Sequence, residues 1–82
     1  MSMPLSLENH ILTYGKEVRR NELENLFEIH FEGYRLFPMN QTIEIKRDRD
    51  AMQIGQGKVV ELMWKNGKTI CKYKLHSLFN VN

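Results

Sequence analysis

The dipeptide Asn66-Gly67 lies between two runs of alternating residues, 55–65 and 68–78. A two-residue type I′ turn needs φ > 0 at both central positions, which Asn and Gly tolerate at least cost. The stretch therefore reads as one long β-hairpin, and its turn sets the register. Lys65 opposes Lys68, Trp64 opposes Thr69, Met63 opposes Ile70, and Leu62 opposes Cys71. Further out, Glu61 opposes Lys72, Val60 opposes Tyr73, and Val59 opposes Lys74. Side chains alternate between the faces of a strand. One face then carries Val60, Leu62, Trp64, Cys71, Tyr73 and Leu75, with Trp64 read as a core plug. The other carries Val59, the Glu61–Lys72 pair, Lys74, Met63 and Ile70. This register would set Lys58 on the apolar face, a conflict that a bulge at Gly55-Gln56-Gly57 would relieve.

Ahead of the hairpin, alternation recurs in shorter runs. Leu5, Leu7, Leu12 and Tyr14 mark an irregular first strand interrupted at Asn9-His10, and Gly15 ends it. Residues 16–25 are charged and offer only Val18 and Leu23 to a core, so they read as a loop with helical tendency. In Leu26–Glu32, Phe27, Ile29 and Phe31 share one face while Glu28, His30 and Glu32 share the other. Gly33 marks a bend before the strand continues through 34–37. Ile43 and Ile45 point inward from a third strand at 42–47, and Arg47-Asp48-Arg49-Asp50 follows as a loop tip. Phe79 and Val81 extend the last strand.

Eighty-two residues make a single domain over 1–82. Five or six strands with short connections and glycine bends predict an all-β fold, a small antiparallel barrel with at most one short helical turn. An open flat sheet would leave bare edges and a bare face.

The formal net charge of +2 is too small to demand a polyanionic partner, but it is unevenly spread. Residues 1–41 carry −2 and residues 42–82 carry +4. One cysteine excludes an intramolecular disulfide, and no Cys/His spacing points to a metal or other cofactor. The opening Met-Ser-Met-Pro lacks a basic n-region, and no apolar run reaches the ~20 residues that span a bilayer. A cytoplasmic protein without membrane attachment is the expectation.

No nucleophile–base or nucleotide-binding motif is present. Cys71, on the apolar face, reads as a buried inert thiol. Of the three histidines, His30 has a neighbour of interest, since Glu28 projects from the same face of its strand. These features predict a non-enzymatic interaction domain whose protein partner is unknown. The alternative is RNA binding through a basic patch of Arg35, Lys46, Arg47 and Arg49, with Tyr34 and Phe37 interleaved. The plainer reading of those cations is a solubilising surface diluted by Glu44, Asp48, Asp50 and Glu61.

Several runs carry a family likeness: Glu32-Gly33-Tyr34-Arg35-Leu36-Phe37-Pro38, Ile43-Glu44-Ile45, Ile54-Gly55 through Val59-Val60, and the closing Tyr73-Lys74-Leu75, Ser77-Leu78 and Val81-Asn82. Over nearly its whole length the chain resembles a small bacterial family known as a domain of unknown function. That resemblance implies no activity, substrate or site residue. A looser likeness is to small barrels of the PUA and ASCH type, many of which bind RNA. It is carried by Ile43-Glu44-Ile45-Lys46-Arg47 and by Gly15-Lys16-Glu17-Val18-Arg19, which is similar to the ASCH glycine-lysine-glutamate-arginine pattern but differs in spacing.

Overall fold

The computed structural model describes residues 5–51 and 53–80. All its regular elements are strands: β1 (Leu5–Leu7), β2 (His10–Leu12), β3 (Val18–Asn21), β4 (Leu26–Glu32), β5 (Tyr34–Leu36), β6 (Thr42–Lys46), β7 (Gln53–Lys65) and β8 (Lys68–Asn80). Six form one sheet in the order β2-β6-β7-β8-β4-β3, and β1 pairs with β5 alone.

The hairpin dominates this sheet. Asn66 and Gly67 adopt φ of 54° and 75°, as the type I′ turn requires. From the turn outward, Lys65↔Lys68, Trp64↔Thr69, Met63↔Ile70, Leu62↔Cys71 and Glu61↔Lys72 pair as predicted. The register then shifts, because Val59 and not Val60 faces Tyr73. Val60 is the extra residue of a bulge. The shift turns Val59 fully into the core and leaves Val60 36% exposed, correcting the predicted faces. It also frees the Val59 carbonyl to accept from the Asn40 N–H at 3.0 Å, tying the hairpin to the loop before β6.

A second shift falls at Gln56/Gly57, where a bulge was expected, but the extra residue is His76 on β8. Gly57 is required there for a different reason: a Cβ at that position would lie 2.3 Å from the Lys74 carbonyl oxygen. Lys58 ends opposite Lys74, which pairs with Glu24 at 3.8 Å.

The core consists of Ile11, Ile29, Phe37, Ile43, Ile45, Val59, Cys71 and Tyr73. Phe27, Phe31, Leu62 and Leu75 pack around it. Trp64 is not a core plug. It is 46% exposed, and its indole N–H donates to the Arg35 carbonyl at 2.8 Å.

Three further expectations are corrected. The six-stranded sheet is mixed and not wholly antiparallel, since β2 runs parallel to β6; in the separate pair β1 also runs parallel to β5. The segment expected to incline to helix instead forms β3, an exposed edge strand on β4, followed by a turn at Asn25 with φ 50°. The sheet is not closed into a barrel: its edges are β2 and β3, which share no ladder. The chain between them turns sharply. After β2, Tyr14 and Gly15 adopt φ of 51° and 73°, and the Lys16 N–H turns back to the Thr13 carbonyl at 2.9 Å. That turn carries the chain off the end of β6, where the Thr13 and Tyr14 N–H groups still donate to the Lys46 and Arg47 carbonyls. Phe79 does lie within β8, while Val81 is outside the described residues.

Candidate functional site

The unclosed seam forms a cleft of about 520 Å³. On one side lies β2 with the turn that follows it; on the other lies the C-terminal half of β4, with Arg35 from β5 and Arg49 from the loop after β6. Leu12, Tyr14 and Phe31 contribute its accessible apolar lining beside the buried Ile29 and Phe37, and His10, Lys16, His30, Arg35 and Arg49 bring cationic or titratable groups. Glu8 and Glu32 are the acidic groups that line it.

Arg35 is the best-anchored of these. Its backbone N–H donates to the Thr69 hydroxyl at 2.8 Å, and that hydroxyl donates to the Gly33 carbonyl at 2.8 Å. Thr69 is fully buried, so this exchange satisfies a core hydroxyl while pinning β5 to β8. The Arg35 guanidinium lies 4.7 Å from the centre of the Phe31 ring and 3.8 Å from Glu8. Stacking of this kind holds the planar cation without burying it. Glu32 is paired with Lys68 at 3.7 Å.

Lys46 and Arg47 line a second cleft of about 560 Å³, with Arg19, Glu17 and Tyr73. There Arg47 lies 3.8 Å from Glu17, and the Lys46 ammonium donates to the Arg49 carbonyl at 3.2 Å. Arg19 sits 4.9 Å over Phe27, whose ring stacks on Tyr73 at 5.5 Å. The four cations predicted as one patch are therefore divided, Arg35 and Arg49 in the first cleft and Lys46 and Arg47 in the second. Sequence reading missed His10, Lys16 and Arg19, although Tyr14-Gly15 was the available sign that the chain folds back there.

His30 and Glu28 do meet, with Nε2 and Oε2 at 2.7 Å, and Arg20 reaches the same oxygen at 3.1 Å. The Arg20 and His30 hydrogen bonds, in that order, hold the Glu28 carboxyl below its usual value. The histidine of this cluster is exposed. Cys71 is buried, and desolvation pushes its thiol up to about 12, so it stays protonated near neutrality. Among the described residues, no group of three or more His, Cys, Asp or Glu side chains could hold a metal ion, and no helix is long and apolar enough to cross a membrane.

The family model described as Domain of unknown function (DUF2584) matches residues 1–82. The chain belongs to the DUF2584 family. A relative in the family is the uncharacterized protein YtmB of Bacillus subtilis (strain 168), 39% identical over 82 residues and covering all of both chains. The crystal structure of ytmB from Bacillus subtilis superposes with a TM-score of 0.87 at 38% identity, covering 100% of this chain and 99% of that one. The open mixed sheet described for this DUF2584 member is thus similar to a fold solved by X-ray crystallography.

Proposed function

We propose that this protein is a non-enzymatic interaction domain that takes an anionic partner into the seam cleft. The observation that carries the proposal is the convergence there of Lys16, Arg35 and Arg49, which come from three separate segments. Arg35 is held in place by Phe31 and the Thr69 network, so little of its freedom remains to be lost on binding. The buried neutral Cys71 thiol and the exposed His30–Glu28 pair favour binding over catalysis. Cytoplasmic residence is part of the same proposal.

The test is recovery of the tagged protein from its host beside a Lys16→Glu, Arg49→Glu variant, with nucleic acid and proteins identified separately. A partner held by the wild type and lost from the folded variant is the expected result. A partner held equally by both refutes the seam assignment.

RNA is the second reading, in line with the looser PUA and ASCH likeness. Two cations stacked beside phenylalanine rings, Arg35 on Phe31 and Arg19 on Phe27, favour it, with Lys46 and Arg47 lining the second cleft. Binding to mixed single-stranded and structured RNA must then weaken steeply as salt rises. Absence of binding at low salt removes this reading. Undiminished binding by Arg47→Ala with Arg49→Ala removes its site.

A further inference from the structure

The backbone of β4 is only partly satisfied along the seam. In an antiparallel ladder, successive residues direct their N–H and C=O groups to opposite sides. The two-residue turn makes Lys65–Lys68 a bonded pair, so β8 bonds β7 through Lys68, Ile70 and Lys72. It therefore bonds β4 through Thr69, Cys71 and Tyr73, which oppose Phe31, Ile29 and Phe27. The Gly33 N–H donating to the Gly67 carbonyl at 2.7 Å continues the same series. Glu28, His30 and Glu32 must then bond in the other direction. Glu28 meets Val18 of β3, where that strand begins. Among the described residues, His30 and Glu32 have no strand opposite them, and none of the turn and loop hydrogen bonds reaches them.

This bare edge, residues 29–32, lines the same cleft as the cations. Four residues of strand are about 13 Å long, enough to template a short extended segment. Lys16 and Arg49 take part in none of the salt bridges among the described residues. Leu12, Tyr14 and Phe31 offer apolar surface beside them.

We infer that the seam accepts an extended peptide by strand addition, pairing with the backbone of His30 and Glu32 and presenting alternating acidic and apolar side chains. Main-chain bonds to the free edge supply affinity, and the flanking cations and apolar floor select the side chains. An acidic peptide is favoured over RNA here because phosphodiester backbone cannot exchange N–H and C=O bonds with a strand edge. The inference rests on the proposal that the cleft binds an anionic partner, and it specifies the partner's chemistry and the manner of binding.

The probe is an acetylated, amidated eight-residue peptide alternating glutamate and valine, followed by amide NMR of the full-length protein. The expected result is saturable shifts and slowed hydrogen exchange at the His30 and Glu32 amides. N-methylating alternate residues on the pairing side must weaken binding at least tenfold, because it removes the donors without changing charge. A lysine–valine peptide must bind at least tenfold more weakly as well. Failure of the parent peptide to bind, or equal binding by the N-methylated peptides of both phases, overturns strand addition. Oligouridylate that shifts the seam amides when the peptide does not would overturn it while leaving the anionic cleft standing. Peptide pairing that survives Lys16→Glu with Arg49→Glu would do the reverse, refuting the charged cleft and retaining the free edge.

Discussion

The bulge at Val60 makes a sharp energetic prediction, because adjacent valines exchange roles across it. Val59 is fully buried against Tyr73 and the core, whereas Val60 is 36% exposed. Val59→Ala removes two buried methyl groups, worth about 1.6 kcal/mol in transfer at ~0.8 kcal/mol each. The cavity left in a core that cannot fully collapse adds roughly another 1 kcal/mol. The expected loss is about 2.5 kcal/mol, a fall in Tm of roughly 10–20 °C for a domain of this size. Val60→Ala should cost less than about 1 kcal/mol, since no comparable cavity forms. Urea titrations of both variants, with m-values compared, measure the difference directly. Equal losses, or a larger loss at Val60, would refute the bulge and restore the unbroken register in which Val60 faces the core.

Gly57→Ala should destabilise by about 1–3 kcal/mol or more, because the added Cβ meets a backbone oxygen that cannot rotate away; chemical denaturation checks it against Gly67→Val. Gly67→Val should also destabilise, through its φ of 75°, although nothing lies within 4 Å of the added carbon. Burial raises the Cys71 thiol to about 12, so the unfolded chain ionises first; stability present below about 9 should fall as pH rises from there toward 12, and Cys71→Ala should flatten that decline in denaturation curves taken against pH. The Glu28 carboxyl is lowered instead, so its contribution is present above the unfolded value of 4.5 and lost as pH falls through the folded one; Glu28→Gln should shrink the acid-side loss measured the same way.

The parts of the fold that were legible depend on contacts close in sequence. Asn66-Gly67 announces its own turn type, and five consecutive pairs outward from it follow by counting. Counting fails at Val60 because a bulge is settled by contacts from elsewhere: the Val59 carbonyl is claimed by Asn40, nineteen residues earlier in the chain. Parallel pairing is invisible for the same reason. Nothing in His10-Ile11-Leu12 specifies Glu44-Ile45-Lys46 as its neighbour, since alternation shows which residues are apolar and not which strand lies alongside.

The candidate site was harder to read than the fold because its distinguishing feature is a place where pairing stops. Alternation from Leu26 to Glu32 predicts a half-buried strand and correctly puts Ile29 and Phe31 inward, yet it cannot show that β3 covers only the first half of that edge. Pairing with β3 begins only at Val18, opposite Glu28, so among the described residues no strand lies beside His30 and Glu32. Read alone, Gly15 marks no more than the end of a strand. In the folded chain, a left-handed residue pair there turns the backbone at the end of its run along β6 and brings Lys16 to the cleft. One local conformational choice thus supplies a cation to the open seam. The seam is the place to look for a ligand because Lys16 and Arg49 there enter none of the salt bridges among the described residues, whereas Lys72 and Lys74 on the outer face of the hairpin already have Glu61 and Glu24 as partners.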